Sequence, residues 1–119
     1  MTNRPARVRL EDLKQAMARI RQYTASLTYD EFIKDEKTTD AVLRNLEVIG
    51  EAARNIPEEL RGRYPDVEWH RMIGLRNIIS HEYFGVDMQI IWEVATRNVA
   101  ETEPLVADML DRLSHEPED

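Results

Sequence analysis

From Arg7 almost to the end of the chain, apolar residues recur at intervals of three and four, and no run of β-branched residues alternates with polar ones. A chain patterned this way buries one stripe per helix and builds its core by packing helix on helix. Leu10, Leu13, Met17, Ile20 and Leu27 form one stripe, and Val42, Leu43, Leu46, Ile49, Ala53 and Ile56 a second. Met72, Leu75, Ile78 and Ile79 form a third; the fourth runs from Ile90 through Val94, Val99, Val106 and Met109 to Leu113. The predicted fold class is all-α, four to five helices in a single domain over residues 1–119, with 1–6 and 115–119 as flexible tails.

Punctuation residues set the expected helix ends. Pro5 delays the start of the first helix to about Arg7. Thr28-Tyr29-Asp30-Glu31 has the form of a capping box ahead of Phe32 and Ile33, so a short helix follows, ending in a turn at Asp35. The third helix spans about Lys37 to Asn55 and stops at Pro57. Gly50, Ala52 and Ala53 are small enough on it for another helix to come close. Residues 57–66 read as a helical turn and loop between prolines. The next helix starts near Trp69 and Gly85 ends it. Asp87 caps a long last helix, in which Pro104 predicts a kink rather than a break.

Charge and cysteine content narrow the function classes. The formal net charge is −7, which opposes the counterion release that drives phosphate binding. Its distribution is uneven: the first 21 residues are basic, the last 19 acidic, and after Lys37 every cation is an arginine, whose planar fork suits phosphate. The commoner role of such arginines is pairing with glutamates on solvated helix faces. Cysteine is absent, which excludes disulfides and thiolate chemistry and fits a reducing cytoplasm. With no signal-like or long uncharged apolar run, the expectation is a cytoplasmic chain without a membrane span.

The only place where helical periodicity meets a compact set of reactive polar groups is Trp69–Gly85, WHRMIGLRNIISHEYFG. On a helix, Ser80 and Tyr83 fall near the line through Arg76, whereas His81 lies well round from it. If Arg76 and His81 act on one atom, either the helix frays near His81 or a second copy of the chain completes the site. Singly, each residue has a plainer reading: a salt-bridged arginine, a histidine favourable at a helix C-terminus, a packed tyrosine. Glu47 and Glu51 share a helix face and could bind a metal. With no histidine nearby in sequence and Arg44 and Arg54 flanking them, pairing with arginines is favoured, one of the two carboxylates orienting Arg76.

The segment Arg76-Asn77-Ile78-Ile79-Ser80-His81-Glu82-Tyr83 resembles the Arg-x4-His-x-Tyr signature of the HEPN superfamily, specifically its HepT-like branch. The likeness extends to Ala41–Ile56 (AVLRNLEVIGEAARNI), to Trp69 with Gly74 five residues on, and to Val86-Asp87 leading into Ile91-Trp92. It implies an antiparallel helical bundle that forms a homodimer, with two copies of Arg76 and His81 lining one cleft. It also implies a ribonuclease needing neither metal nor cofactor, the toxin of a toxin–antitoxin pair. Its partner would be a minimal nucleotidyltransferase that silences it by AMP transfer to the motif tyrosine, here Tyr83.

The chemistry suits the residues. Metal-free scission of an RNA phosphodiester requires a group to take the ribose 2′-OH proton and another to stabilise a phosphorane-like transition state. His81, whose imidazole can both take and give a proton, fits proton transfer, and Arg76, with two parallel donors, fits charge stabilisation. Asn77 and Ser80 are candidate phosphate contacts, and an AMP group on Tyr83 at the cleft edge would exclude RNA. The competing reading is a non-catalytic helical dimer that binds the nucleotidyltransferase, and nucleotide with it, which the acidic charge favours.

Overall fold

The computed structural model describes residues 4–115, and among them only helices and connecting turns occur. The long helices are α1 (Arg4–Thr24), α3 (Glu36–Arg54), α5 (Trp69–His81) and a C-terminal rod. The rod comprises α6 (Met88–Glu93), a π turn (Val94–Asn98) and α7 (Val99–Ser114), which follow one another without a break. Two short helices, α2 (Tyr29–Lys34) and α4 (Glu58–Gly62), join them. None of these helices is long and apolar enough to cross a membrane.

α1 begins three residues earlier than its proline suggested. Pro5 lies in the first turn, where a missing N–H deprives no carbonyl of a partner, and Ala6 is already buried. Residues 1–3 and 116–119 of the expected tails fall outside the described residues. The Thr28 capping box forms as expected: the Glu31 N–H donates to the Thr28 hydroxyl oxygen at 3.2 Å, and the Thr28 N–H to the Glu31 carboxylate at 2.9 Å. That cap aims α2 so that Phe32 packs against Trp92 of α6, ring centres 5.0 Å apart. Asp35 ends α2 and caps α3, its carboxylate accepting from the Thr38 N–H and hydroxyl at 3.1 and 2.7 Å.

α3 is the central helix, packed on one side against α1 and on the other against α5, while α1 also carries α7. All six of its expected stripe residues are buried. The close approach foreseen at its small residues is made by α5: a β-carbon on Gly50 would collide with the Arg76 side chain and the Met72 carbonyl. The other end of α5 is fixed by Trp69, whose indole N–H donates to the carbonyls of Arg61 and Tyr64, each at 3.1 Å.

Two expectations need correcting. α5 ends at His81, not at Gly85; the chain breaks helix at Glu82 and continues as a 3₁₀ turn over Tyr83–Gly85. Ile78 of the third stripe is 48% exposed, because the C-terminal rod stands away from α5 and leaves a cleft of about 330 Å³ between them. Ile78 and Ile90 line that cleft, with Met17, Leu46 and Ile49 among the residues of its walls. The last helix continues through Pro104 without a break, as expected, and the rod also carries a π turn at Val94–Asn98 that the sequence did not announce.

Candidate functional site

The polar residues of α5 meet α3 in a regular order. The Arg76 Nη2 lies 3.3 Å from Glu51 Oε2, the Ser80 hydroxyl donates to Glu47 Oε2 at 3.1 Å, and the Tyr83 hydroxyl donates to Asp40 Oδ1 at 2.6 Å. The partner numbers fall along α3 as the motif numbers rise, so the two helices run antiparallel. One face of α5, continued by the 3₁₀ turn, is thereby tied to one line of carboxylates. Glu51 thus orients Arg76, as the shared face of Glu47 and Glu51 suggested, and both carboxylates are engaged by motif side chains. Among the described residues no three His, Asp or Glu side chains gather in a way that could hold a metal ion.

Arg76 is about one quarter exposed, so its guanidinium is only partly withdrawn from water. Its Nη1 donates to Asn77 Oδ1 at 3.0 Å, and the Nη2 contact with Glu51 is an ion pair whose N–H is not aimed for a hydrogen bond. Such a pair adds little stability, on the order of 1 kcal/mol or less; its effect is to fix where the charge sits. Arg76 also borders a polar pocket of about 200 Å³ between α1, α3 and α5, together with Arg9, Arg44 and Glu47.

His81 behaves differently from the rest of the motif. It is the last helical residue of α5, exposed, and engages no hydrogen-bond or ionic partner among the described residues. The helix keeps its regular course through it, the Glu82 N–H still donating to the Ile78 carbonyl at 2.8 Å. The break therefore comes one residue too late to swing His81 round, and it remains about 140° from Arg76 on the helix surface. Fraying does not bring the two together within one chain.

Tyr83 is the most perturbed group of the site. Its hydroxyl pKa is pushed up to about 12, first by the hydrogen bond to Asp40, then by partial burial, then by the negative charges of Asp40, Glu47 and Glu36. Asp40 was not singled out in the sequence. Its signal was available: residues 40, 47 and 51 are separated by seven and four, so they share the α3 face that carries the other two carboxylates. His70, at the start of α5, and His115, beyond the end of α7, lie apart from this set and are exposed.

Comparison with known proteins agrees with the motif. The family described as Ribonuclease HepT-like matches residues 13–109. A protein of Methanocaldococcus jannaschii named as a candidate RNase is 41% identical over 113 residues, covering 92% of this chain and 93% of its own. One of Thermococcus cleftensis, named as a probable ribonuclease HepT, is 37% identical over 90 residues, covering 76% and 82%. A further candidate RNase, from Caldanaerobacter subterraneus, is 36% identical over 103 residues, covering 87% and 92%. No solved structure matches significantly. With most of its length matched and the Arg-x4-His-x-Tyr motif present at Arg76–Tyr83, the chain belongs to the HepT-like ribonuclease family.

Proposed function

We propose that this protein cleaves RNA at a cleft between two copies of the chain, as the toxin of a toxin–antitoxin pair, with Arg76 and His81 as the reacting groups. The observation that carries the proposal is the division of labour along α5: Arg76 is held by Glu51, while His81, on another side of the same helix, is exposed and without a partner among the described residues. A group left free of partners at a helix end is available for proton transfer, and a group held by a carboxylate is set to receive charge. Their angular separation favours a site in which one protomer's arginine faces its partner's histidine.

In this reading His81 takes the proton of the ribose 2′-OH, and the second copy's imidazole protonates the leaving 5′-oxygen. Arg76 neutralises charge on the non-bridging oxygens as the phosphorane-like state forms. Asn77, whose amide oxygen already accepts from Arg76, turns its NH2 toward the phosphate. Ser80, whose proton is committed to Glu47, holds the face in register. The half-exposed Ile78 and Ile90 along the open cleft, and Phe84, fully exposed beside Tyr83, supply apolar surface for the second copy to cover.

Tyr83 is the proposed switch. A minimal nucleotidyltransferase attaching AMP to its hydroxyl would place a bulky anion among Asp40, Glu47 and Glu36, at the edge of the cleft that RNA must enter. Expression of the protein alone should arrest growth, and purified protein should cut RNA. Arg76→Ala should lower kcat about 10²- to 10³-fold and His81→Ala about 10²- to 10⁴-fold, both with the arrest relieved. If both variants arrest growth as the parent does, the assignment of these residues is wrong. A dimer that binds the transferase but cuts no RNA at any concentration would favour the non-catalytic reading, which the net charge of −7 supports.

A further inference from the structure

Tyr83 reaches across from the 3₁₀ turn to a residue 43 positions earlier, and the 2.6 Å separation makes its hydrogen bond to Asp40 the shortest side-chain contact of the site. Asp40 itself is exposed near the start of α3, and the pair opens to solvent, so an enzyme approaching the phenol meets the carboxylate at the same time. A hydroxyl nucleophile is weak until something takes its proton. The group already bonded to that proton is Asp40.

We propose that Asp40 is the general base for nucleotidyl transfer to Tyr83, so that the chain carries within itself the residue that makes it modifiable. This rests on the reading of Tyr83 as the site of AMP attachment. In the step, the phenolic oxygen attacks the α-phosphorus of a nucleoside triphosphate held with its divalent cation by the transferase, and an oxygen–phosphorus bond forms. The bond between the α- and β-phosphates breaks and pyrophosphate leaves. The phenolic proton passes along the existing hydrogen bond to the Asp40 carboxylate and from there to water.

The surroundings close the alternative route, in which the phenol ionises first. With a pKa near 12, sustained by Asp40, Glu47 and Glu36, only about one phenol in 10⁵ is ionised at pH 7. The same three carboxylates penalise a free phenolate but not a proton moved in concert with attack, because the negative charge then passes onto the phosphoryl group and its cation. Glu47 is occupied by Ser80, and Glu36 acts on Tyr83 only through its charge. Asp40 alone of the three accepts the proton-bearing hydrogen bond.

The test is incorporation of AMP from Mg-ATP into the full-length protein by its cognate minimal nucleotidyltransferase, followed by mass spectrometry and compared among the parent, Asp40→Asn, Asp40→Glu and Glu36→Gln. Asp40→Asn keeps the shape of an exposed side chain and is expected to fold, but it should react about 10²-fold more slowly or worse at pH 7. The KM for ATP should not change. The parent-to-variant rate ratio, in which the transferase's own titrations cancel, should shrink with rising pH by up to about tenfold per unit, because the variant depends on prior ionisation. Asp40→Glu should recover part of the rate and Glu36→Gln should stay near the parent. Equal rates for the parent and Asp40→Asn, or a ratio that does not vary with pH, would overturn the role of Asp40 and leave Tyr83 as the acceptor. Absence of AMP from Tyr83 in the parent protein would instead remove the modification reading on which the role rests.

Discussion

Tyr83 and His81, two residues apart, show how differently neighbouring groups can be set. Tyr83 donates to Asp40, which pushes its pKa up to about 12; His81 has no partner among the described residues and is exposed. Because the folded-state pKa of Tyr83 exceeds that of the unfolded chain, its bond to Asp40 contributes stability that is complete below about pH 10 and lost as pH rises toward about 12. Ultraviolet titration should therefore show one tyrosine ionising well after the others, and Tyr83→Phe should remove that last step. At Arg76 the partner matters more than the stability it brings. Glu51→Gln should leave the unfolding midpoint nearly unchanged, since a partly exposed pair contributes on the order of 1 kcal/mol or less. It should nevertheless lower RNA cleavage, because the guanidinium is then no longer held; a variant with undiminished kcat would show that Arg76 needs no such anchor.

At the scale of helices, Gly50 decides how near α5 can lie to α3. A methyl group there would occupy the space of the Arg76 side chain, so Gly50→Ala must push the two helices apart. The expected cost is about 1–3 kcal/mol or more, read from chemical denaturation, and cleavage should fall with it since Arg76 moves too. The start of α3 offers a pH test. The Thr38 hydroxyl and N–H hold the Asp35 carboxyl below the usual carboxylate range. A lowered folded-state pKa means that this charge stabilises the fold above about pH 4 and ceases to do so as the carboxylate protonates at lower pH. The parent should therefore exceed Asp35→Asn in urea midpoint at neutral pH, with the gap closing on acidification.

Across the whole molecule, the open cleft between α5 and the C-terminal rod is where the proposed second copy would meet the first. Replacing Ile78 and Ile90 together by glutamate leaves Arg76, His81 and Tyr83 in place, yet it should convert a dimer into a monomer in sedimentation and abolish cleavage. A double variant that stays dimeric and active would place the interface on another surface. The π turn at Val94–Asn98 borders the same cleft through Val94 and Asn98, so the change in helical pitch falls beside the surface in question.

The periodicity of the apolar residues, the Thr28 capping box, Pro57 and the small residues of α3 were enough to establish an all-α chain, most helix ends, the contact of α3 with a close neighbour and the motif Arg76–Tyr83. These features act locally or through one repeating angle, which is why they are legible without coordinates. The end of α5 was not, because Glu82 carries no breaking signal and Gly85 offered a later one. Nor was the exposure of Ile78, since whether an apolar stripe is covered depends on how far the C-terminal rod stands from it. The pairing of Asp40 with Tyr83 was likewise decided by tertiary structure: its spacing put it on the right face, but only the antiparallel packing of α5 on α3 brought a phenol from 43 residues away within 2.6 Å of its carboxylate.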